Sequence, residues 1–243
     1  MTIETLGQRP AKPRKFFKRL FVVLVSLAVV AVVAHVAWKA SGTGEWRLAM
    51  EKDGVKIYER KQPGSTLKTY RADLRIHSTV QRAVAAMMDR SLEACAAWNA
   101  GCVEEHAVQP WNDQERTYIH LFRMNSPGPM SPREFLLRAR FTPDESNGSV
   151  FIQYTAMPDE LPPHDCCVRV ARMNNSWRFT PLPGGELGVE FTQDIDAGIP
   201  YFVYNLAAPG FVYDGLALLP KLVNQEKYDH EPIPFLAAAT VAR

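Results

Sequence analysis

The 243-residue chain has no glycine-rich loop to cradle phosphates, no nucleophile elbow and no His-Glu-x-x-His run. It also lacks internal repeats and long low-complexity tracts. An excess of basic residues is missing after the N-terminus: residues 1–40 hold seven of the 28 Lys and Arg but only one of the 26 Asp and Glu. The remainder is therefore weakly acidic, and no Lys/Arg patch of the kind that neutralises phosphates follows Lys39, which sets nucleic acid aside as a partner. Cysteine is limited to Cys95, Cys102, Cys166 and Cys167. His164-x-Cys166-Cys167 contains metal-ligand types, yet no second pair at zinc-site spacing answers it, so neither metal nor cofactor is expected. Cys95 and Cys102 leave two readings, a bridge or buried thiols; Cys166 and Cys167 are adjacent, would strain to pair, and are expected to stay separate.

What the chain does have is one long apolar run. Leu20 to Trp38 carries no formal charge and is broken only by Ser26 and His35. At a rise of about 1.5 Å per residue it spans about 28 Å, the thickness of a bilayer core. Lys12, Arg14, Lys15, Lys18 and Arg19 precede it and only Lys39 follows closely. The positive-inside bias then predicts a cytoplasmic segment 1–19, a transmembrane anchor 20–38 and an exported domain, periplasmic if the host is bacterial. A cleaved signal peptide is the rival, but the run is long for one and Trp38-Lys39-Ala40 is a poor cleavage site. Residues 39–45, with Ser41-Gly42-Thr43-Gly44, read as a short flexible linker. One domain over 46–224 and a loose tail over 225–243 complete the division.

Within the domain, Val55–Arg60 and Leu67–Ile76 read as a hairpin around Gln62-Pro63-Gly64. Val80, Ala83, Val84, Met87 and Met88 recur at helical spacing behind a Ser78 or Thr79 cap, and Ser91–Trp98 continues as a second helix. Tyr118, His120, Phe122 and Met124 then share one strand face, Phe135, Leu137, Ala139 and Phe141 another, and Val150, Ile152, Tyr154 and Ala156 a third. Further strands are expected at Cys166–Met173, Ser176–Thr180 and Glu186–Asp194. Ile199–Val223 is apolar almost all round, predicting a covered helix that Pro209-Gly210 kinks or breaks. The class is α+β: a curved antiparallel sheet wrapped around a long C-terminal helix.

Specific residues carry a resemblance. Trp46-Arg47-Leu48, Asp53-Gly54-Val55-Lys56-Ile57-Tyr58, Pro129-Met130-Ser131-Pro132-Arg133-Glu134-Phe135, Val168-Arg169, Trp177-Arg178-Phe179-Thr180-Pro181 and Asp196-Ala197-Gly198-Ile199-Pro200 occur in that order. From about Glu45 to Val223 the chain resembles the START domain, the StAR-related lipid-transfer module, as a membrane-anchored bacterial member. Glu134 stands where the family more usually has Asp, and the positions that hold an acidic and a basic side chain in its sterol carriers read His120 and Ala139.

The resemblance implies a helix-grip fold around a tunnel for one lipid, gated by Asn125–Pro132 and the last helix. It implies a ligand set of Tyr118, His120, Phe122, Met124, Met130, Arg133, Phe135, Leu137, Tyr154, Arg169, Phe202, Asn205 and Phe211. Each has a plainer reading: His120 as a satisfied core residue, Arg133 as the partner of Glu134 or another carboxylate at the lid's base, and the aromatics as filling. The expected partners are a lipid or other hydrophobic small molecule and the membrane. Two rivals stand beside lipid transfer: a helix-grip enzyme of the polyketide cyclase or aromatase type, using His120, Tyr118 and Tyr154 as acid/base groups, and an anchored interaction module filled by its own side chains.

Overall fold

The computed structural model describes residues 14–126, 128–233 and 235–236. Helix α1 (Arg14–Ala40) leads into strands β1 (Arg47–Lys52), β2 (Val55–Arg60) and β3 (Thr69–His77), then α2 (Val80–Met88) and α3 (Leu92–Trp98). Strands β4 (Cys102–Asn112), β5 (Thr117–Met124), β6 (Arg133–Asp144), β7 (Ser149–Ala156), β8 (Val168–Arg169), β9 (Arg172–Leu182), β10 (Glu186–Gln193) and β11 (Ile195–Asp196) follow, and α4 (Tyr201–Val223) closes the fold. The main sheet runs β1-β2-β3-β10-β9-β7-β6-β5-β4, antiparallel throughout, with β8 added parallel to β6 and β11 antiparallel to β9.

Local chemistry accounts for the breaks. Asp53 and Gly54 both take positive φ, 49° and 79°, as a two-residue hairpin loop between twisted strands requires. Thr79 caps α2 by accepting from the Arg82 amide, and Ser91 caps α3 from the Ala94 amide. A Cys95–Cys102 disulfide staples α3 to β4. The sheet's inner face joins α2 and α4 in one core that includes Ile57, Tyr70, Phe141, Phe179, Leu216 and Leu219. On the outer face of β5 and β6, Ile119, Leu121 and Leu136 are covered by Val108, Met157 and Leu161, so β5 is buried on both sides.

Several expectations need correction. Of a kink or a break at Pro209-Gly210, the break does not occur: helix α4 runs on through both residues. Proline cannot donate to the carbonyl four residues back, which leaves the Asn205 carbonyl without a helical partner. The buried Tyr70 hydroxyl supplies one at 2.9 Å. Cys166 and Cys167 are joined as a vicinal disulfide rather than separate. The strand expected over Cys166–Met173 shrinks to Val168–Arg169 before β9 begins, and β4 was not anticipated at all. The segment read as a tail packs onto the domain: Tyr228 and Ile233 are buried and Phe235 stacks on Trp111 at 5.7 Å. Residues 237–243 lie outside the described residues, as do 1–13 and Pro127 of the expected lid.

The link after α1 is not slack. Lys39 accepts from the Gly64 amide at 2.8 Å, Gly44 donates to the Lys61 carbonyl at 3.1 Å, and Lys61 Nζ donates to the Ser41 carbonyl at 2.6 Å. Gly42 sits at φ 111° with its open side against the Lys61 carbonyl, so any side chain there would collide with backbone. Trp38 donates Nε1 to the Thr66 carbonyl at 2.9 Å beneath the Lys61 ammonium.

Candidate functional site

Strand alternation turns Tyr118, His120 and Phe122 to the inner face, and antiparallel register sets Phe135, Leu137 and Ala139 beside them, with Tyr154 one strand further. The rings form a continuous wall. Phe122 stacks on Phe135 at 4.5 Å and on His120 at 5.4 Å, while His120 lies 5.4 Å from Tyr118 and 6.2 Å from Tyr154. Met124 packs at the edge of the same core. Seven of the expected residues, Tyr118, His120, Phe122, Met124, Phe135, Leu137 and Tyr154, thus share one side of the sheet.

A polar cluster interrupts this apolar wall. His120 Nδ1 lies 2.8 Å from Glu105 Oε1 and 3.1 Å from Arg90 Nη1, and Arg90 and Glu105 are 3.7 Å apart. Arg90 also donates to the Met87 carbonyl at 2.7 Å, as Tyr118 does at 3.0 Å and Tyr154 at 3.4 Å. That carbonyl belongs to the last turn of α2, where helix geometry provides no donor. Three side chains converge to satisfy it.

The histidine's second nitrogen is different. Nε2 is buried and, among the described residues, has no hydrogen-bond partner. Nδ1 faces both an acceptor and a donor, so its proton decides what Nε2 offers: protonated toward Glu105, Nδ1 leaves Nε2 an acceptor; accepting from Arg90, it leaves Nε2 a donor. Burial pushes the imidazole below its ordinary pKa, against the Glu105 hydrogen bond and with the help of Arg90, so the ring is neutral near pH 7. Burial likewise raises Tyr118 and Tyr154, keeping both hydroxyls protonated.

The other expected contacts lie elsewhere. Glu134 and Leu136 occupy the face of β6 opposite Phe135 and Leu137. There Arg169 grips Glu134 at 2.6–2.8 Å and also donates to the Pro158, Leu161 and Pro162 carbonyls, with His164 on the second carboxylate oxygen. Arg169 is thus committed to a loop staple outside the interior. Among the described residues Arg133 pairs with no carboxylate; it donates to the carbonyls of Ser131, Ala197 and Gly198, tying the loop before β6 to the approach to α4. Asn205 spends both amide atoms on the backbone of Lys68 and Thr66. Phe202 and Phe211 point outward, 66% and 69% exposed, and Met130 is exposed as well. These six do not join the interior wall.

Arg90 and Glu105 were missed. Arg90 falls between two helices where no periodicity marks it, and β4 carries register shifts after Cys102, Ala107 and Gln109 that erase the alternation around Glu105.

An antiparallel sheet gripping a long C-terminal helix, with two short helices inserted after the third strand, defines a START-like helix-grip fold behind an apolar N-terminal helix. Solved structures sharing it include a STAR-related lipid transfer protein from Xanthomonas axonopodis, 22% identical, covering 75% of this chain and 100% of that one, TM-score 0.67. The lipid transfer and protein localization domain of human StarD13 is 16% identical, with 82% and 97% covered and a TM-score of 0.63. Human StAR-related lipid transfer protein 5 is 19% identical, with 86% and 99% covered and a TM-score of 0.61. In sequence, an uncharacterized protein of Pseudomonas aeruginosa is 25% identical over 185 residues, 75% of this chain and 88% of that protein. No protein-family model matches the chain.

Proposed function

We propose that this protein binds one hydrophobic molecule, lipid-like in its apolar body, between the inner face of the sheet and α4, and carries it to or from the membrane in which α1 is anchored. The observation that carries the reading is the His120 Nε2 atom, unpartnered and buried among aromatic rings. An unmade hydrogen bond in such a place costs about 1–3 kcal/mol, which a ligand's polar end would recover. Arg90 and Glu105 cancel one another's charge beside it, so a fully charged head group would stay uncompensated. A neutral hydroxyl or carbonyl on a long apolar body fits best.

The enzyme reading finds less support, because both tyrosine hydroxyls are tied to the Met87 carbonyl and held protonated. Placing the anchor's N-terminus in the cytoplasm and the domain on the outer side follows from the charge bias around α1. The test is extraction of the full chain from its membrane in mild detergent, followed by native mass spectrometry. The expected species is the chain plus one hydrophobic molecule; a chain that leaves the membrane empty and takes up no added lipid sinks the reading.

A further inference from the structure

Among the described residues, two helices are long and apolar enough to cross a membrane, Phe16–Ala40 and Tyr201–Val223. The second packs against β2, β3, α2 and α3 through Tyr204, Ala208, Val212, Leu216 and Leu219, so it belongs to the domain. Its outward side is nonetheless apolar: Phe202, Val203, Leu206 and Phe211 are 44–85% exposed. From Ala197 to Tyr213 there is no charged residue; the first is Asp214. Such a face on the surface of a water-soluble domain is unfavourable unless something covers it.

The end of the anchor identifies the cover. Tyr201, the first residue of α4, stacks on Trp38 at 6.4 Å and meets His35 at 5.6 Å. His35 lies more than a turn inside the C-terminal end of α1, so α4 begins level with the membrane end of the anchor rather than beyond it. The joint is also built to hold. Lys61 sits over the Trp38 ring and grips the Ser41 carbonyl, Thr66 accepts from Trp38, and Asn205 binds Thr66 and Lys68 from within α4.

We propose that the domain does not swing on its anchor: the joint of Trp38, Lys61 and Tyr201 fixes one orientation, in which Phe202, Val203, Leu206 and Phe211 rest in the leaflet of the bilayer that α1 itself crosses. This rests on α1 spanning that bilayer and is independent of whether the interior takes a ligand. Helix α4 is then in contact with lipid continuously rather than on encounter, and the occupant of its face is the cis membrane rather than an opposing one or a second copy of the chain.

The experiment places single bimane labels on the full chain reconstituted in dioleoylphosphatidylcholine vesicles with spin-labelled phosphatidylcholine as quencher. Label sites come from Leu206→Cys, Phe211→Cys and Glu145→Cys; the native cysteines are paired and the work is done without reductant. Glu145 lies past the end of β6 remote from Arg133, on the order of 35 Å from the approach to α4. Quenching at 206 and 211 at least threefold above that at 145 is expected. Tyr201→Ala, or a ten-residue Gly-Ser insertion after Ala40 should the first variant unfold, is expected to cut quenching at 206 at least twofold. Equal quenching at all three sites, an unquenched 206 whether or not chain-to-chain crosslinks form there, or full quenching retained in both joint variants each overturns the proposal.

Discussion

Tyr70→Phe removes one oxygen atom and tests how α4 tolerates a proline in its middle. Pro209 offers no N–H to the Asn205 carbonyl, and the Tyr70 hydroxyl fills the vacancy at 2.9 Å from a fully buried position. Without the hydroxyl that acceptor is stranded where water does not reach, at a cost of about 1–3 kcal/mol. In a domain of this size each kcal/mol moves the unfolding midpoint by about 2–4 °C, so a fall of about 2–12 °C is expected. The cause can be isolated by a double-mutant cycle. Pro209→Ala returns an amide to the helix four residues after Asn205, so the Tyr70→Phe change should then cost less by about 1 kcal/mol or more. Thermal unfolding of the full chain in one detergent, followed by circular dichroism, reads all four corners. If the two substitutions simply add, the tyrosine is not standing in for the missing helical donor and the reasoning is wrong.

Other perturbations separate other contacts. Burial would raise the Glu134 pKa, but hydrogen bonds from His164 and Arg169 hold it below the ordinary carboxylate value. Its folded pKa is thus lower than its unfolded one, so its contribution is complete above about pH 5 and drains away as pH falls through the folded value. Glu134→Gln should be less stable than wild type at pH 7 in denaturant titrations, with the gap closing toward pH 3; a gap of constant size refutes the assignment. Gly42→Ala drives a methyl group into the Lys61 carbonyl and should release the anchor joint, broadening the distance distribution between spin labels on α1 and the sheet while the domain's unfolding midpoint stays within about 2 °C. An unchanged distribution would mean that the link is slack after all.

Legibility in the sequence followed how local the governing interactions are. The charge-free run in α1 and the alternations of β5, β6 and β7 are patterns along the chain, and each stands where it was read. Strand β4 escaped because its bulges destroy the two-residue period. The polar cluster escaped with it, since Arg90, Glu105 and His120 meet only when a helix connector crosses two strands. Helix α4 misled in another way. It is apolar nearly all round, so periodicity does not say which aromatics face inward, and Phe202 and Phe211, expected in the interior, lie outside. Asn205 and Arg133 were legible as polar residues at critical places, but their partners are backbone carbonyls and amides that no spacing rule reveals.

The proposed function rests on His120 Nε2 meeting the polar end of a bound hydrophobic molecule. The most direct measurement compares wild type with His120→Leu for uptake of two ligands of equal chain length, a long-chain alcohol and the parent alkane, in the full chain. One hydrogen bond, worth about 1–1.5 kcal/mol, corresponds to roughly a tenfold preference for the alcohol. Wild type is expected to show that preference and His120→Leu to lose it while still binding the alkane; the same preference in both proteins, or no binding of either ligand by wild type, contradicts the account.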